Sequence, residues 1–547
     1  MMTMTPTKRR RYPVGIQTFS RLIREGYVYV DKTDLVWQMA NEDNPFLFLA
    51  RPRRFGKSLL CSTLHSFFAG ERELFRGLKA DQLEWDWKQY PVFHFDLSGA
   101  KHLPPNEVKE ELDRQLSKLE RQYGCNEGEI TPGMRLAGLV ERAYEKSNLQ
   151  VVIIIDEYDA PLLDVLHEDE RLHDMREVLQ EFYQRLKMLE PYIKHCFITG
   201  ITKFSQLSIF STINNITVIS MLPKYAALCG VTEEELTTTL APDIALLAEA
   251  NECTPEEMHQ KLKERYDGYM FSENAPEVYN PFSLFKAFST QKVSYYWFDS
   301  GTPTFLIRQM QKFNTDITSL NDMEVSASAF DKPTEAMVTA LPLLYQSGYL
   351  TIKGYDREGE VYKLGIPNQE VQTGYAEGLM PTYIGLDSTD VQTGFALKFW
   401  RALKKDDLDL ALREMQAFLA GLPYVEGFKK KLEAVAVAEG FYEYTFYLIF
   451  NMLNVYVRTQ VKCQGGRIDM VVYMPTATYV FELKMHESAQ KALEQIDTNG
   501  YALPYHTEGR RVVRVGLHFD LDSRTLDEWA VERGGSSAVP SRFSSMT

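Results

Sequence analysis

The chain is short of several things, and each absence removes a class of function. Its six cysteines are scattered and never form a CxxC pair, which argues against both a disulfide framework and a zinc site of that kind. There is no run of eighteen apolar residues, so no transmembrane helix is expected. The N-terminus, MMTMTPTKRRRYPVG, lacks the apolar centre of a signal peptide, and cytoplasmic residence is the simplest expectation. Basic charge is also lacking: the net charge is −15, whereas a protein that coats nucleic acid is basic overall. An enzyme that touches nucleic acid locally can still be acidic, because only the charge near the groove steers the substrate. The early basic cluster Lys8 to Arg11 reads as a solvated arm.

What is present begins with length. At 547 residues the chain is too long for one core, and several domains are expected. Residues Phe46 to Leu60, FLFLARPRRFGKSLL, place a short apolar strand before a loop with Arg51, Arg53 and Arg54; Gly56-Lys57-Ser58 then opens an apolar helix. This order suits a phosphate-binding loop, where backbone N–H groups and a helix N-terminus receive phosphate oxygens. Arg54, Gly56, Lys57 and Ser58 are the expected nucleotide contacts, with the Ser58 hydroxyl on Mg2+. One glycine is missing, because G-x-x-x-x-G-K-[ST] would place its first glycine where Arg51 stands.

A second signal is VVIIIDEYD, from Val151 to Asp159. Its β-branched run fits a parallel strand covered on both faces. Ligands of open α/β sheets sit beyond the carboxyl ends of the strands, so Asp156 is expected to hold Mg2+ and Glu157 to deprotonate the attacking water. Further strands are expected at Tyr27–Val30, Tyr90–Asp96 and His195–Thr199, and helices at Pro105–Gln122, Pro132–Lys146 and Arg171–Leu189. Thr199 or Thr202 is the candidate γ-phosphate sensor. The expected fold is α/β, with a doubly wound parallel sheet in residues 1–220. A helical lid over 221–331 and a winged-helix-like unit over 332–386 would follow. The aromatic runs YDGYMF and VYNPFSLF read as core and lid packing.

The third signal lies in residues 387–533, ahead of a polar tail, 534–547, expected to be disordered. The strand Arg467–Met474 carries Asp469, and Thr478–Met485 carries Glu482 and Lys484. Strand period two puts Glu482 and Lys484 on one face. If Met474 pairs with Ala477, Asp469 sits opposite Glu482, and a slip of one residue would turn it away. Two carboxylates so placed make a hard-oxygen site for Mg2+ or Mn2+. Such an ion would polarise a phosphodiester, while Lys484 orients a water or offsets developing charge. Glu439 or Glu443 would add a third acid, and Gln495 and Tyr501 would support the site.

Taken together, PVGIQTF, YVDKT, RPRRFGKS, IDEYDAPLL, TGITKFS, YDGYMF, YNPFSLF, LLYQSGYLTI, GRIDMVV and YVFELK resemble a bacterial family. Its members join an N-terminal AAA-ATPase-like domain to a C-terminal nuclease domain of the PD-(D/E)XK superfamily, and the resemblance runs from Tyr12 to Val531. In that family an arginine stands where the first loop glycine is expected, as Arg51 does. The resemblance implies a nucleotide site of Lys57, Ser58, Asp156 and Glu157 and a nuclease triad of Asp469, Glu482 and Lys484. It implies ATP binding and DNA cleavage as activities, with Mg2+ as cofactor. RNA as a substrate and self-association stay open, and no membrane partner is expected. A nucleotide-gated switch that binds nucleic acid without cutting it is the alternative reading.

Overall fold

The computed structural model describes all residues except 1–9, 164, 167, 204–215, 299–303, 314, 322, 334–336, 385–388, 422–434, 454–455, 475, 507–509, 521–522, 524 and 534–547. The expected tail therefore lies outside the described residues. The chain divides into two compact units, residues 1–315 with 320–371, and residues 316–319 with 372–547.

The first unit is built on strands β1 (Phe46–Ala50), β2 (Val92–Asp96), β3 (Val151–Asp156), β4 (Ile193–Gly200) and β5 (Thr217–Val218). They are parallel and lie in the order β2-β3-β4-β1-β5. Every residue of β3 is buried, as expected of a strand covered on both faces. β4 lies between β1 and β3, so the phosphate loop and the acidic strand end flank it. The helices Pro105–Tyr123 and Pro132–Ser147 follow the expected pattern. The next helix, Asp169–Tyr183, ends earlier than expected and tightens into a 3-10 turn over Gln184–Lys187. Tyr27–Val30 is not a regular strand. Its described pairing is a single bridge between Tyr27 and Arg11, too little to propagate a ladder.

Two smaller sheets complete this unit. β6 (Val231–Thr232) pairs with β7 (Val278–Tyr279), beside helices such as Glu233–Thr238 and Pro255–Tyr266. Both of these helices start with a Thr/Glu capping box. β8 (Met323–Val325), β9 (Thr351–Asp356) and β10 (Val361–Gly365) form an antiparallel sheet in the order β8-β10-β9, with the short helix Leu341–Gln346 between β8 and β9 in the chain. On that hairpin Lys353 donates to the carbonyls of Gly268 and Pro367. The basic arm is not solvated throughout. The Arg10 guanidinium pairs with Asp243, a buried acid that also accepts from the Tyr12 hydroxyl at 2.8 Å, because a buried carboxylate needs donors.

The second unit holds a mixed sheet in the order β11-β12-β13-β14-β15: β11 (Tyr456–Cys463), β12 (Gly466–Tyr473), β13 (Ala477–Lys484), β14 (Arg511–Asp520) and β15 (Thr525–Arg533). β13 and β14 are parallel and the other neighbours antiparallel. Helix Val435–Met452 meets β13 through Phe446 and Phe450 against Phe481. Ile468, Val471, Val480, Leu493 and Ile496 share one apolar cluster, which seats helix Ala489–Thr498 against the sheet.

Candidate functional sites

The loop between β1 and helix Lys57–Phe68 turns on Gly56 at φ +93° and Arg54 at φ +66°. Gly56 is the residue for which this matters chemically. Its left-handed backbone stands at the helix N-cap, where the helix N–H groups are left free for a ligand. The aromatic runs that looked like packing in the sequence do pack, and they pack here. Phe55 sits edge-on to Tyr269 and Phe271 at 4.7 and 5.4 Å between centroids. Gly348, from LLYQSGYL, lies against Pro52, 2.7 Å from where a β-carbon would stand.

Arg51 occupies the place of the missing glycine as a structural brace. It is 2% exposed and donates to the carbonyls of Ala50, Ser220 and Tyr225 at 3.0, 2.7 and 3.1 Å. Its guanidinium carbon lies 4.0 Å from the Phe271 ring centre. Arg54 departs from expectation: its guanidinium donates to the carbonyls of Tyr296 and Trp297 and lies 4.1 Å over Phe282. Those bonds commit it to the aromatic wall instead of the phosphate position.

Lys57, 3% exposed, donates to the Pro52 carbonyl at 3.2 Å, and its Nζ lies 3.4 Å from Glu157 Oε1. The Ser58 hydroxyl neighbours the Asp156 carboxyl. Burial pushes the Asp156 carboxyl up to about 6; the Ser58 hydroxyl and Lys57 oppose this, and the neighbouring Glu157 and Asp96 add to it. Asp156 Oδ1 is buried with no hydrogen-bond partner, which is costly unless a cation or donor arrives. The donor set fits Mg2+: a hydroxyl, a carboxylate and a second acid beside a phosphate loop.

The two candidate sensors do something else. The Thr199 hydroxyl is fully buried and donates to the Leu49 carbonyl at 2.7 Å, which commits its proton, and a phosphate contact would need that proton. Thr202 donates its hydroxyl to Asp159 at 2.6 Å. Asp159 is a residue the sequence reading passed over. Fully buried, it also accepts from the backbone of Ile201 and Thr202 at 3.1 and 2.7 Å, clamping the end of β4. Gly200 is required there, since a β-carbon would lie 2.3 Å from Asp159 Oδ1.

In the second unit Met470 pairs with Phe481, and Met474 N donates to Ala477 O at 2.8 Å. This register carries Asp469 and Glu482 to facing positions, and Leu483 N donates to Asp469 Oδ2 at 2.8 Å. Lys484 Nζ lies 3.4 Å from Glu482 Oε1, which also accepts from Gln495. Glu482 is 2% exposed. Burial and the nearby Asp469 push its carboxyl up to about 8 against the pull of Lys484. Glu443, on helix Val435–Met452, is raised by burial to about 7; Gln460 opposes the shift and Asp469 adds to it. Glu482 Oε2 and Glu443 Oε1 are buried without partners. Carboxylates that repel one another and present orphaned oxygens fit a divalent cation.

The Glu439 side chain lies outside the described residues. Tyr501 does not join the acids. It packs in the apolar cluster with Ile468 and Val480, and its hydroxyl accepts from Asn499 at 3.0 Å.

Among the described residues no helix is long and apolar enough to cross a membrane. The strand order, the phosphate loop and the carboxylate pair on adjoining strands define a P-loop protein of AAA-like fold carrying a nuclease-type second unit. A family model described as "Predicted AAA-ATPase" matches residues 13–210, and one described as "PD-(D/E)XK nuclease superfamily" matches residues 437–529. A protein of Azotobacter chroococcum mcd 1, described as an uncharacterized protein in the vnfD 5' region, is 33% identical over 541 residues, covering 96% of this chain and 100% of that relative. The chain belongs to the family that joins an AAA-ATPase-like domain to a PD-(D/E)XK nuclease superfamily domain.

Proposed function

We propose that the chain binds and hydrolyses ATP with Mg2+ in its first unit, and that its second unit cleaves DNA with Mg2+ or Mn2+. In the first unit the loop N–H groups and Lys57 take the phosphate oxygens, and Ser58 and Asp156 would hold the ion. Glu157, 22% exposed, takes the proton of the attacking water once ATP draws Lys57 away from it. An open apolar cleft borders Gly56 and is lined by Val28, Val30, Leu60, Leu228 and Phe285. A nucleobase entering beside the loop would meet these apolar walls, which suit a flat heterocycle.

In the second unit Asp469 and Glu482 would hold the ion, with Glu443 as a further acid. A divalent ion bound there supplies Lewis-acid polarisation of a phosphodiester and a bound water acidic enough to lose its proton. Lys484 orients that water and offsets charge on the phosphate, and Gln495 fixes the Glu482 carboxylate. The carrying observation is the meeting of Asp469, Glu482 and Lys484, with Glu482 Oε2 buried and unpartnered.

The test is cleavage of DNA, and of RNA in parallel, with Mg2+ or Mn2+, with and without ATP. Metal-dependent cutting of DNA that disappears in Lys484→Ala supports the reading. Binding without cutting would favour the alternative reading, a nucleotide-gated switch that binds nucleic acid without cleaving it.

A further inference from the structure

Helix Lys57–Phe68, β2 and the end of β3 bring together three side chains that the nucleotide reading does not use as a set. One ligand atom from each of Cys61, His94 and Asp156 lies within 4.8 Å of the others. Cys61 is fully buried and Asp156 is 3% exposed. His94 Nε2 and Asp156 Oδ1 are both buried with no hydrogen-bond partner. Two orphaned polar atoms beside a buried thiol are expensive as core packing. A metal ion that took these atoms as ligands would relieve that cost.

The donors choose the ion. Thiolate and imidazole are soft ligands that Mg2+ does not take, whereas zinc and its neighbours bind them with one carboxylate. Tetrahedral zinc with bonds of about 2.0–2.3 Å sets its ligand atoms roughly 3.3–3.8 Å apart, so a cluster whose ligand atoms lie within 4.8 Å of one another needs a contraction of about 1.5 Å at most. Binding replaces the Cys61 S–H bond with a sulfur–metal bond, and the proton passes to solvent. Three protein ligands leave a fourth position open, and Asp156 is also the carboxylate that neighbours Ser58 at the phosphate loop.

We propose that Cys61, His94 and Asp156 form a site for a zinc-class divalent ion, and that its occupancy withdraws Asp156 from the magnesium of a bound nucleotide. The metal site stands on the cluster itself; the effect on nucleotide rests on the ATP reading above. CxxC spacing cannot reveal such a site, because its three ligands come from separate elements.

The test is titration of the full chain with Co2+ without nucleotide, read by thiolate-to-cobalt charge-transfer absorption. A band is expected with the native chain, absent in Cys61→Ser and needing at least about tenfold more cobalt in His94→Gln. No band with the native chain, or an undiminished band in Cys61→Ser, overturns the site. In a second arm, calorimetry measures Mg2+-ATP affinity with and without Zn2+. Zinc is expected to weaken that affinity at least about tenfold in the native chain and to leave Cys61→Ser unaffected. Equal weakening in both overturns the link through Asp156. If the zinc-free chain binds no ATP, the nucleotide reading and the proposed link fail together, and the cobalt band still decides the metal site.

Discussion

The backbone N–H of Leu483 donates to Asp469 Oδ2 at 2.8 Å. The strand that carries Glu482 and Lys484 thus holds the facing acid in place with its own main chain. Because one face of this hairpin is tied to helix Ala489–Thr498, a slip by one residue would expose apolar side chains and separate the acids together. Register and site stand or fall as one.

Lys484→Ala is expected to lower the single-turnover rate of metal-dependent DNA cleavage by about 10²–10³-fold, the size of effect seen when one charge-stabilising group is lost. The side chain is 20% exposed, so the thermal midpoint should move little. A rate that stays native would place the chemistry elsewhere.

Lys57→Ala removes the cation that sits 3.4 Å from Glu157 and that the proposed function sets against the phosphates. Loss of a charge-assisted contact corresponds to a roughly tenfold or greater drop in ATP affinity. Isothermal calorimetry measures it directly, and an unchanged affinity would rule out the loop as the phosphate site.

Arg51→Gly restores the expected loop glycine and should harm the protein. The carbonyls of Ser220 and Tyr225 lose their donor, and the guanidinium vacates a closed space over Phe271. A loss on the order of 2–4 kcal/mol is expected in urea unfolding, with no gain in ATP affinity. Tighter ATP binding at unchanged stability would show that Arg51 is no brace.

Glu370 predicts a pH dependence. It is 1% exposed, accepts from the backbone of Tyr296 and Trp297, and is raised by burial from 4.5 to about 7. The folded chain therefore holds its proton more tightly than the unfolded chain. The resulting stability is complete below about 4.5 and is lost as pH rises through about 7. The contribution is on the order of 3 kcal/mol, at about 1.4 kcal/mol per pH unit. Glu370→Gln should flatten the dependence of the unfolding midpoint between these values. An identical slope in native and variant chains would remove Glu370 as its source.

Much of the architecture was legible in local pattern. The β-branched run at Val151–Ile155 announced a buried parallel strand, and Gly56-Lys57-Ser58 after an apolar strand announced a phosphate loop. Period-two alternation put Glu482 and Lys484 on one face. What failed was the fate of single polar side chains. Thr199, Arg54 and Tyr501 each carry suitable chemistry, yet the Leu49 carbonyl, the Tyr296 and Trp297 carbonyls and an apolar cluster claim them. Their neighbours are remote in sequence, so no spacing rule could foresee the contacts.

By itself, then, the sequence determined the strand before the phosphate loop, the buried run Val151–Ile155 and the strands that carry the acids, though not the fate of Tyr27–Val30, because periodicity and turn chemistry act over a few residues. The tertiary structure decided that Arg51 braces the loop, that Asp159 clamps β4 and that Cys61, His94 and Asp156 meet. Each depends on burial, which makes an unmet donor or acceptor costly and is set only when distant segments pack.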